Sequence, residues 1–433
     1  MASITGWRRA LGSSLLQSAG VYAAASILAA AMPFALIPIL TRHLNQADYG
    51  RVALFQTAVN VVSLFTGLSV DLAVSRQFYD RDKKEMACFL GACLVLLALS
   101  TAALGLLILF LPGLAARMTQ LSVEAVLAAV GVAASRFISN ITLGLWQVRL
   151  RAFSYSCYQL LQAALNVSLT LWFVIRLGYG WRGLVLAQLI AGGVAAVMGI
   201  VVMIADFGLR VGWHWREMRL ALGFGLPLIP HSLGGLAIGM TDRLAIANLV
   251  GVAEAGVYAV GAQIGMIVNV ILGAFNTAWT PWVFSRLKRG SDADKQAITR
   301  ATYLCFLGMA GLAVSVVAVS PLVFKWCIGQ RFQGAIRYVP WVAAGYMFNG
   351  MYKLVCTHIF YSNKTYLLAV ITGLIGIGNV CLTMIFVSRW GAMGAAVALA
   401  CSFLLSFLLA WLAGSRLTKL PWRLNYPVVL AKN

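Results

Sequence analysis

Three cationic side chains lie inside long apolar stretches of this sequence, where a charge needs a polar partner. They are Arg136, Arg243 and Lys353. A charge at the centre of a membrane span costs on the order of 2.5–3.5 kcal/mol on insertion scales, so such residues usually face a cavity or a partner. Arginine and lysine bind phosphates and carboxylates, arginine through two parallel N–H bonds. The three residues are therefore candidates for binding an anionic substrate.

Amide and hydroxyl side chains accompany these cations at helical spacing. Asn140 follows Arg136 by four residues, which places both on one face of a helix. Such groups hydrogen-bond to sugar hydroxyls, although a stripe of polar and small residues can also serve close helix packing. The polar candidates for the substrate site are Asn60, Asn140, Asn269, Asn276 and Thr280.

Three further residues could carry a coupling ion. His231 and Asp242 are eleven residues apart, about three helical turns, and so share a face. Arg243 follows Asp242 directly, about 100° around the helix, so these two cannot both point straight into one cavity. Asp71 is the third candidate. The simpler alternatives are a hydrogen-bonded structural histidine and a pairing of Asp71 with Arg76.

The elements that hold these residues must be membrane helices. Of the 433 residues, 61% are hydrophobic and only 10% are charged, whereas soluble domains average about 25% charged residues. This composition excludes an ordinary soluble enzyme and predicts an all-α polytopic membrane protein. We predict about twelve spans, at residues 12–41, 50–72, 86–111, 123–146, 154–177, 183–205, 223–249, 255–283, 301–321, 339–361, 366–388 and 392–413.

The net charge of +21, from 33 Lys and Arg against 12 Asp and Glu, would suggest nucleic acid in a soluble protein. Here most of the basic residues fall on the N-terminus, alternate loops and the C-terminal tail. The positive-inside rule therefore predicts that both termini are cytoplasmic, and nucleic acid is not an expected partner. Neither the other loops nor the spans are net acidic, which favours an anionic substrate over a lipophilic cation.

Motifs for catalysis are missing from the sequence. It contains no Gly-Lys dipeptide and hence no P-loop, and it contains neither HExxH nor CxxC. Two Asp-x-Asp triplets, at residues 80–82 and 292–294, lie in short basic loops typical of solvated segments. We therefore predict no enzyme activity, no cofactor and no metal site.

Two sequence offsets indicate an internal duplication. At a shift of 206 residues, the segment 45–53 falls on 251–259, and Gly50 coincides with Gly256. At a shift of 213, the segment 166–178 matches 379–391 at 8 of 13 positions. The same shift sets Arg136 against Asn349 and Asn140 against Lys353. The sequence thus predicts two parallel six-helix repeats around a central cleft, an N-lobe (1–210) and a C-lobe (211–433).

With these features established, the sequence resembles the polysaccharide-transporter, or Wzx-type flippase, branch of the multidrug/oligosaccharidyl-lipid/polysaccharide exporter superfamily. The stretch GLPLIPHSLGGLAIGMTDRLAIANLVGVAEAGVYAVGAQ (225–263) carries the likeness best, and LTRHLNQADYG (40–50) and AFNTAWTPWVF (274–284) also fit. The resemblance implies an alternating-access flippase for undecaprenyl-pyrophosphate-linked oligosaccharides in a bacterial inner membrane. It also implies that spans one, two, seven and eight line the cleft, with spans four and ten more peripheral.

For such a flippase we expect Arg243, Arg136 and Lys353 to pair with the diphosphate or acidic sugars. Asp242 or His231 would couple transport to protons or sodium ions, and a polysaccharide polymerase and chain-length proteins would be partners. Two other functions stay open: a cation-coupled multidrug antiporter of the same fold and, less favoured, a membrane polysaccharide polymerase or ligase. The latter enzymes usually need a large exterior loop, and the longest predicted here has about 17 residues.

Overall fold

The structure is a computed structural model, and it describes residues 25, 28–29, 31–362, 365–418 and 420–422. Throughout these residues the regular secondary structure is helical. Helix α1 covers the described residues 31–43, which include Pro33 and Pro38. The others are α2 Gln46–Phe65, α3 Asp71–Gln77, α4 Lys83–Phe110, α5 Pro112–Thr119, α6 Val123–Val148, α7 Ala152–Leu171, α8 Gly180–Phe207, α9 Trp215–Gly225, α10 Leu228–Leu249, α11 Val252–Arg289, α12 Asp292–Cys327, α13 Val339–Tyr361, α14 Thr365–Trp390 and α15 Ala392–Thr418.

The described part of the chain has nine helices long and apolar enough to cross a membrane. A tenth is obtained if Trp215–Leu236 and Ile238–Leu249, which are bent by 59°, form one span. This bend lies in the predicted span seven, which also contains Pro227 and Pro230. The prediction of an all-α polytopic membrane protein is confirmed. The count of twelve spans stays a prediction, and part of the first span, 12–41, lies outside the described residues.

Local sequence signals explain where several helices begin. The Asn45 side chain accepts a hydrogen bond of 2.7 Å from the Asp48 backbone N–H and so caps α2. A capping box starts α4, where Asp82 accepts from the Glu85 N–H at 2.7 Å and Glu85 accepts from the Asp82 N–H at 3.2 Å. These contacts satisfy N–H groups that have no partner within their own helix.

The chain breaks sharply between α2 and α3. Gly67, Leu68 and Ser69 all have left-handed backbone angles, with φ of 74°, 54° and 56°. A Cβ atom on Gly67 would lie 2.3 Å from the Phe137 ring, so only glycine fits there. Left-handed non-glycine residues cost about 1–3 kcal/mol each and persist where the surrounding structure enforces them. The break sets Asp71 at the start of a new helix.

The helices form two compact units. The first unit takes in the described residues up to Leu236, together with Arg243–Ala259 and Cys327–Gln333. Its main core lies among α3, α4, α6, α8 and α9, and the large fully buried residues there are Met86, Phe89, Leu90, Ile141 and Leu145. The division of the chain into lobes 1–210 and 211–433 stays a prediction.

The second unit takes in Ala237–Asp242, Val260–Trp326 and the described residues from Gly334 onward. Its core joins α11, α12, α13 and α15 and is rich in aromatic rings. Trp411 lies 5.3 Å from Phe407 and 5.6 Å from Trp422, measured between ring centroids. Trp422 follows α15, so the chain packs back onto this core after its last described helix.

Within the first unit, the starts of α2 and α11 cross at two glycines. A Cβ atom on Gly50 would lie 2.0 Å from the Val252 carbonyl oxygen, and one on Gly256 would lie 2.1 Å from the Gln46 carbonyl oxygen. The predicted 206-residue shift sets Gly50 on Gly256 and Gln46 on Val252, so the contact is reciprocal. Reciprocal contacts are what a local two-fold relation produces. The two six-helix repeats and the cleft between them stay a prediction.

This crossing makes a stability prediction. A Gly50→Ala variant is expected to lower the free energy of unfolding by about 1–3 kcal/mol, because the methyl group forces two backbones apart. The measurement is the midpoint of thermal unfolding in detergent. Gly193→Ala in α8 is the matched control, because no atom lies within 4 Å of a Cβ placed there. Equal midpoints for the two variants would contradict the assigned packing.

Candidate functional site

In the first unit, Arg136 of α6 is held by neutral amides of α2. Its guanidinium donates a hydrogen bond of 3.0 Å to the Asn60 side-chain oxygen. It also lies 3.4 Å from the Gln56 side-chain oxygen. The side-chain amide groups of Gln56 and Asn60 are within hydrogen-bonding distance of each other, at 3.1 Å. The side chains of Arg136, Gln56 and Asn60 are all partly buried. The result is a guanidinium cradled by two amides one helical turn apart.

One turn further along α6, Asn140 contacts the break that follows α2. Its amide nitrogen donates a hydrogen bond of 3.0 Å to the Asp71 carboxylate. Arg136 and Asn140 share a helix face, as their spacing predicted. The face of α6 therefore carries a cation and, next to it, an amide bound to the first residue of α3. Arg76 contacts the Phe224 ring at 5.9 Å.

The second unit has a similar arrangement. The Lys353 ammonium of α13 donates a hydrogen bond of 3.0 Å to the Asn269 side-chain oxygen of α11. Asn349, one turn earlier on α13, donates to the same oxygen at 3.2 Å. Asn60 and Asn269 are related by a shift of 209 residues. In each unit, then, an asparagine on the predicted span two or eight accepts a hydrogen bond from a cation on span four or ten.

The electrostatic character of both clusters is positive. Among the described residues, no carboxylate lies within 4 Å of the Arg136 or Lys353 charge. Amide oxygens stabilise a cation by hydrogen bonding but do not neutralise it. Each unit therefore keeps a partly buried positive charge, which an anion is suited to approach.

The remaining predicted residues lie on α10 and α11. Asp242 is buried, with 5% of its surface exposed, and Arg243 is partly exposed. Thr280 donates to the Asn276 backbone oxygen at 3.3 Å, within its own helix. The Asn276 side-chain oxygen is buried and has no hydrogen-bond partner among the described residues. His231 lies in α10, and its side chain is outside the part that the structure describes.

Two residues of the clusters are not among those predicted from sequence. Gln56 contacts Arg136, and Asn349 contacts Asn269. Gln56 lies one helical turn before Asn60, so the face of span two could have indicated it. Asn349 coincides with Arg136 in the repeat alignment, but the contact between spans needs the folded chain.

The family described as "Polysaccharide biosynthesis protein" matches residues 39–337 of this sequence, most of the chain. The chain belongs to this family. An "Uncharacterized membrane protein" of Haemophilus influenzae is 26% identical over 359 residues, which cover 81% of this chain and 85% of that protein. Another protein of the same organism, from the Lsg locus, is 24% identical over the same shares of the two chains.

Two groups of solved structures share the fold of this family member. The inward-facing form of a multidrug resistance MATE transporter of the MOP superfamily has a TM-score of 0.72 and 16% identity, and covers 90% of this chain and 94% of its own. The lipid II flippase MurJ, in an inward closed conformation, has a TM-score of 0.73 and 13% identity. The match covers 90% of this chain and 87% of the MurJ chain. At these identities the likeness shows the fold alone. The fold is therefore one that transporters and flippases share.

Proposed function

We propose that this protein is a flippase that moves a polyprenyl-pyrophosphate-linked oligosaccharide from the cytoplasmic to the periplasmic leaflet of a bacterial inner membrane by alternating access. The observation that carries the proposal is the pair of clusters in which a partly buried cation is held by neutral amides of a neighbouring helix. Such a charge suits a phosphate ligand. Membership of a polysaccharide biosynthesis family favours a saccharide attached to that phosphate.

The proposed roles follow from the chemistry of the headgroup. An unpaired ion in hydrocarbon costs tens of kcal/mol before compensation, so the diphosphate needs cations along its path. Arg136, Lys353 and Arg243 would supply them. The amide and hydroxyl groups proposed to bind sugar hydroxyls are those of Asn60, Asn140, Asn269, Asn276 and Thr280. The polyprenyl chain would stay in the lipid, and polysaccharide polymerase and chain-length proteins would take the product onward.

Transport in this scheme draws on an ion gradient through an intramembrane acid. Asp71 is bound to Asn140, on the same helix face as Arg136, and Asp242 and His231 are the other proposed coupling residues. An Asp71→Asn variant is expected to lose the acceleration that a proton or sodium gradient gives to flipping, because it cannot change charge or bind a cation strongly. Flipping by the wild type and by the variant is measured with and without each imposed gradient. An undiminished gradient effect in Asp71→Asn removes this residue from the coupling.

The decisive experiment is reconstitution of the full chain into liposomes with a fluorescent polyprenyl-pyrophosphate oligosaccharide. Flipping is read as the fraction of fluorophore accessible to an external quencher, against protein-free liposomes. The proposal expects flipping of this lipid and no gradient-driven uptake of a lipophilic cationic dye. Uptake of the dye without flipping would instead establish the multidrug antiporter. Lengthening of the oligosaccharide would indicate a polymerase.

A further inference from the structure

A strained turn between α6 and α7 holds two arginines against one carboxylate. Arg149 and Arg151 both form ion pairs with Asp206 near the end of α8, Arg151 at 3.5 Å. Leu150, between them, has a left-handed backbone with φ of 54°. Left-handed non-glycine residues concentrate where function requires a fixed geometry. Two guanidinium groups share one carboxylate, so one positive charge remains.

A cavity of about 270 Å³ adjoins this turn. Its lining includes Lys83, Arg149 and Asp206, with Phe78, Met86 and Phe207 as apolar walls. Within the described residues, no carboxylate lies within 4 Å of the Lys83 ammonium. The Asp82 carboxylate, also in the lining, accepts a hydrogen bond from the Glu85 backbone at the start of α4. The cavity therefore presents excess positive charge above an apolar floor.

Exposed apolar side chains are interleaved with these charges. Leu150 is 59% exposed and Phe153 is 79% exposed, on either side of Arg151. Tyr79, next to the cavity residue Phe78, is 73% exposed. Basic residues beside exposed apolar and aromatic groups are typical of a surface that meets lipid headgroups and acyl chains together. This favours a lipid over a ligand that is free in water.

We propose that this cavity is a binding site for the phosphate of an anionic phospholipid. Lys83 in the cavity wall and Arg151, which lies beside the cavity and pairs with the lining residue Asp206, contact the phosphate oxygens, and Leu150 and Phe153 contact the acyl chains. The site involves none of the residues assigned to the transported headgroup. A bound lipid would tie together the ends of α4, α6 and α8 and so stabilise the first unit.

The test uses the full chain purified in a zwitterionic detergent. Short-chain phosphatidylglycerol, phosphatidylcholine of the same chain length and inorganic phosphate are titrated, and the midpoint of thermal unfolding is measured. Only phosphatidylglycerol is expected to raise the midpoint. The double variant Lys83→Gln/Arg151→Gln is expected to need at least about tenfold more of it for half the effect, because two charged contacts are lost. Arg117→Gln, an exposed arginine on α5, removes one charge elsewhere and is expected to titrate as the wild type does.

Equal stabilisation by phosphatidylcholine or by inorganic phosphate would overturn the proposal, as would an unchanged titration of the double variant. If the double variant does not fold, the lipid titration of an Asp206→Asn variant provides the test. This change adds a positive charge at the site, so phosphatidylglycerol is expected to bind more tightly even if the variant is less stable. A merely structural role for Asp206 predicts lower stability with an unchanged lipid titration, and that result would also overturn the proposal.

Discussion

An Arg136→Gln variant is expected to flip the lipid-linked oligosaccharide about ten- to a hundredfold more slowly than the wild type. A hydrogen bond to a charged group contributes about 1.5–3 kcal/mol, and glutamine keeps hydrogen-bonding capacity but loses the charge. Its amide can still contact Asn60 and Gln56, so α2 and α6 should remain packed. Lys353→Gln is expected to have an effect of the same size in the second unit. The measurement is the initial rate of quencher protection in proteoliposomes.

Two controls make this result specific. Arg117→Gln removes a charge from α5, outside the two clusters, and is expected to leave flipping unchanged. Arg136→Lys keeps the charge and is expected to retain much more activity than Arg136→Gln. Wild-type rates in both Arg136→Gln and Lys353→Gln, at equal protein levels, would exclude the two clusters from headgroup transport.

The second large effect is expected from Asn269→Asp. The Asn269 oxygen lies 3.0 Å from the Lys353 ammonium, so a carboxylate there forms an ion pair and cancels the positive charge of the cluster. Flipping should fall at least about tenfold, which corresponds to about 1.4 kcal/mol. The thermal midpoint should stay the same or rise, because the cation gains a partner of opposite charge. Asn60→Asp should act in the same way on Arg136.

This combination separates function from folding. A structural role for Asn269 predicts that flipping and stability change together, whereas an anion site predicts lost flipping in a stable protein. Asn248→Asp is the matched control, because Asn248 is an exposed asparagine that accepts a hydrogen bond of 2.8 Å from Gln120, outside the two clusters. It is expected to flip at the wild-type rate. Normal flipping by Asn269→Asp would show that the Lys353 charge is not needed.

The two cations show how far sequence reasoning reaches. The shared helix face of Arg136 and Asn140 was visible as spacing, because a helix has a fixed period. The identity of their partners was not visible. Arg136 contacts Asn60 and Gln56, which precede it by 76 and 80 positions in the chain. No local pattern encodes a contact between helices so far apart in sequence.

Asp71 also shows that the sequence does not identify the partners of a polar side chain. In the sequence, Asp71 is a candidate coupling residue with a pairing to Arg76 as the alternative, and in the folded chain it accepts a hydrogen bond from Asn140. The left-handed break at Gly67, where the Phe137 ring of α6 leaves no room for a Cβ atom, starts a new helix at Asp71. A single glycine in an apolar sequence does not predict such a break.

By itself, the sequence determined the all-helical membrane fold. Length and hydropathy decide this, because a backbone in lipid must satisfy its hydrogen bonds within each helix. The offset between the two halves aligned Gly50 with Gly256, and only the folded chain showed that these glycines meet where α2 and α11 cross. Only the tertiary structure decided that, among the described residues, the partners of Arg136 and Lys353 are neutral amides on neighbouring helices. These partners depend on how the side chains of neighbouring helices pack. The apolar composition does not determine this packing, because many helix pairings bury the same amount of surface.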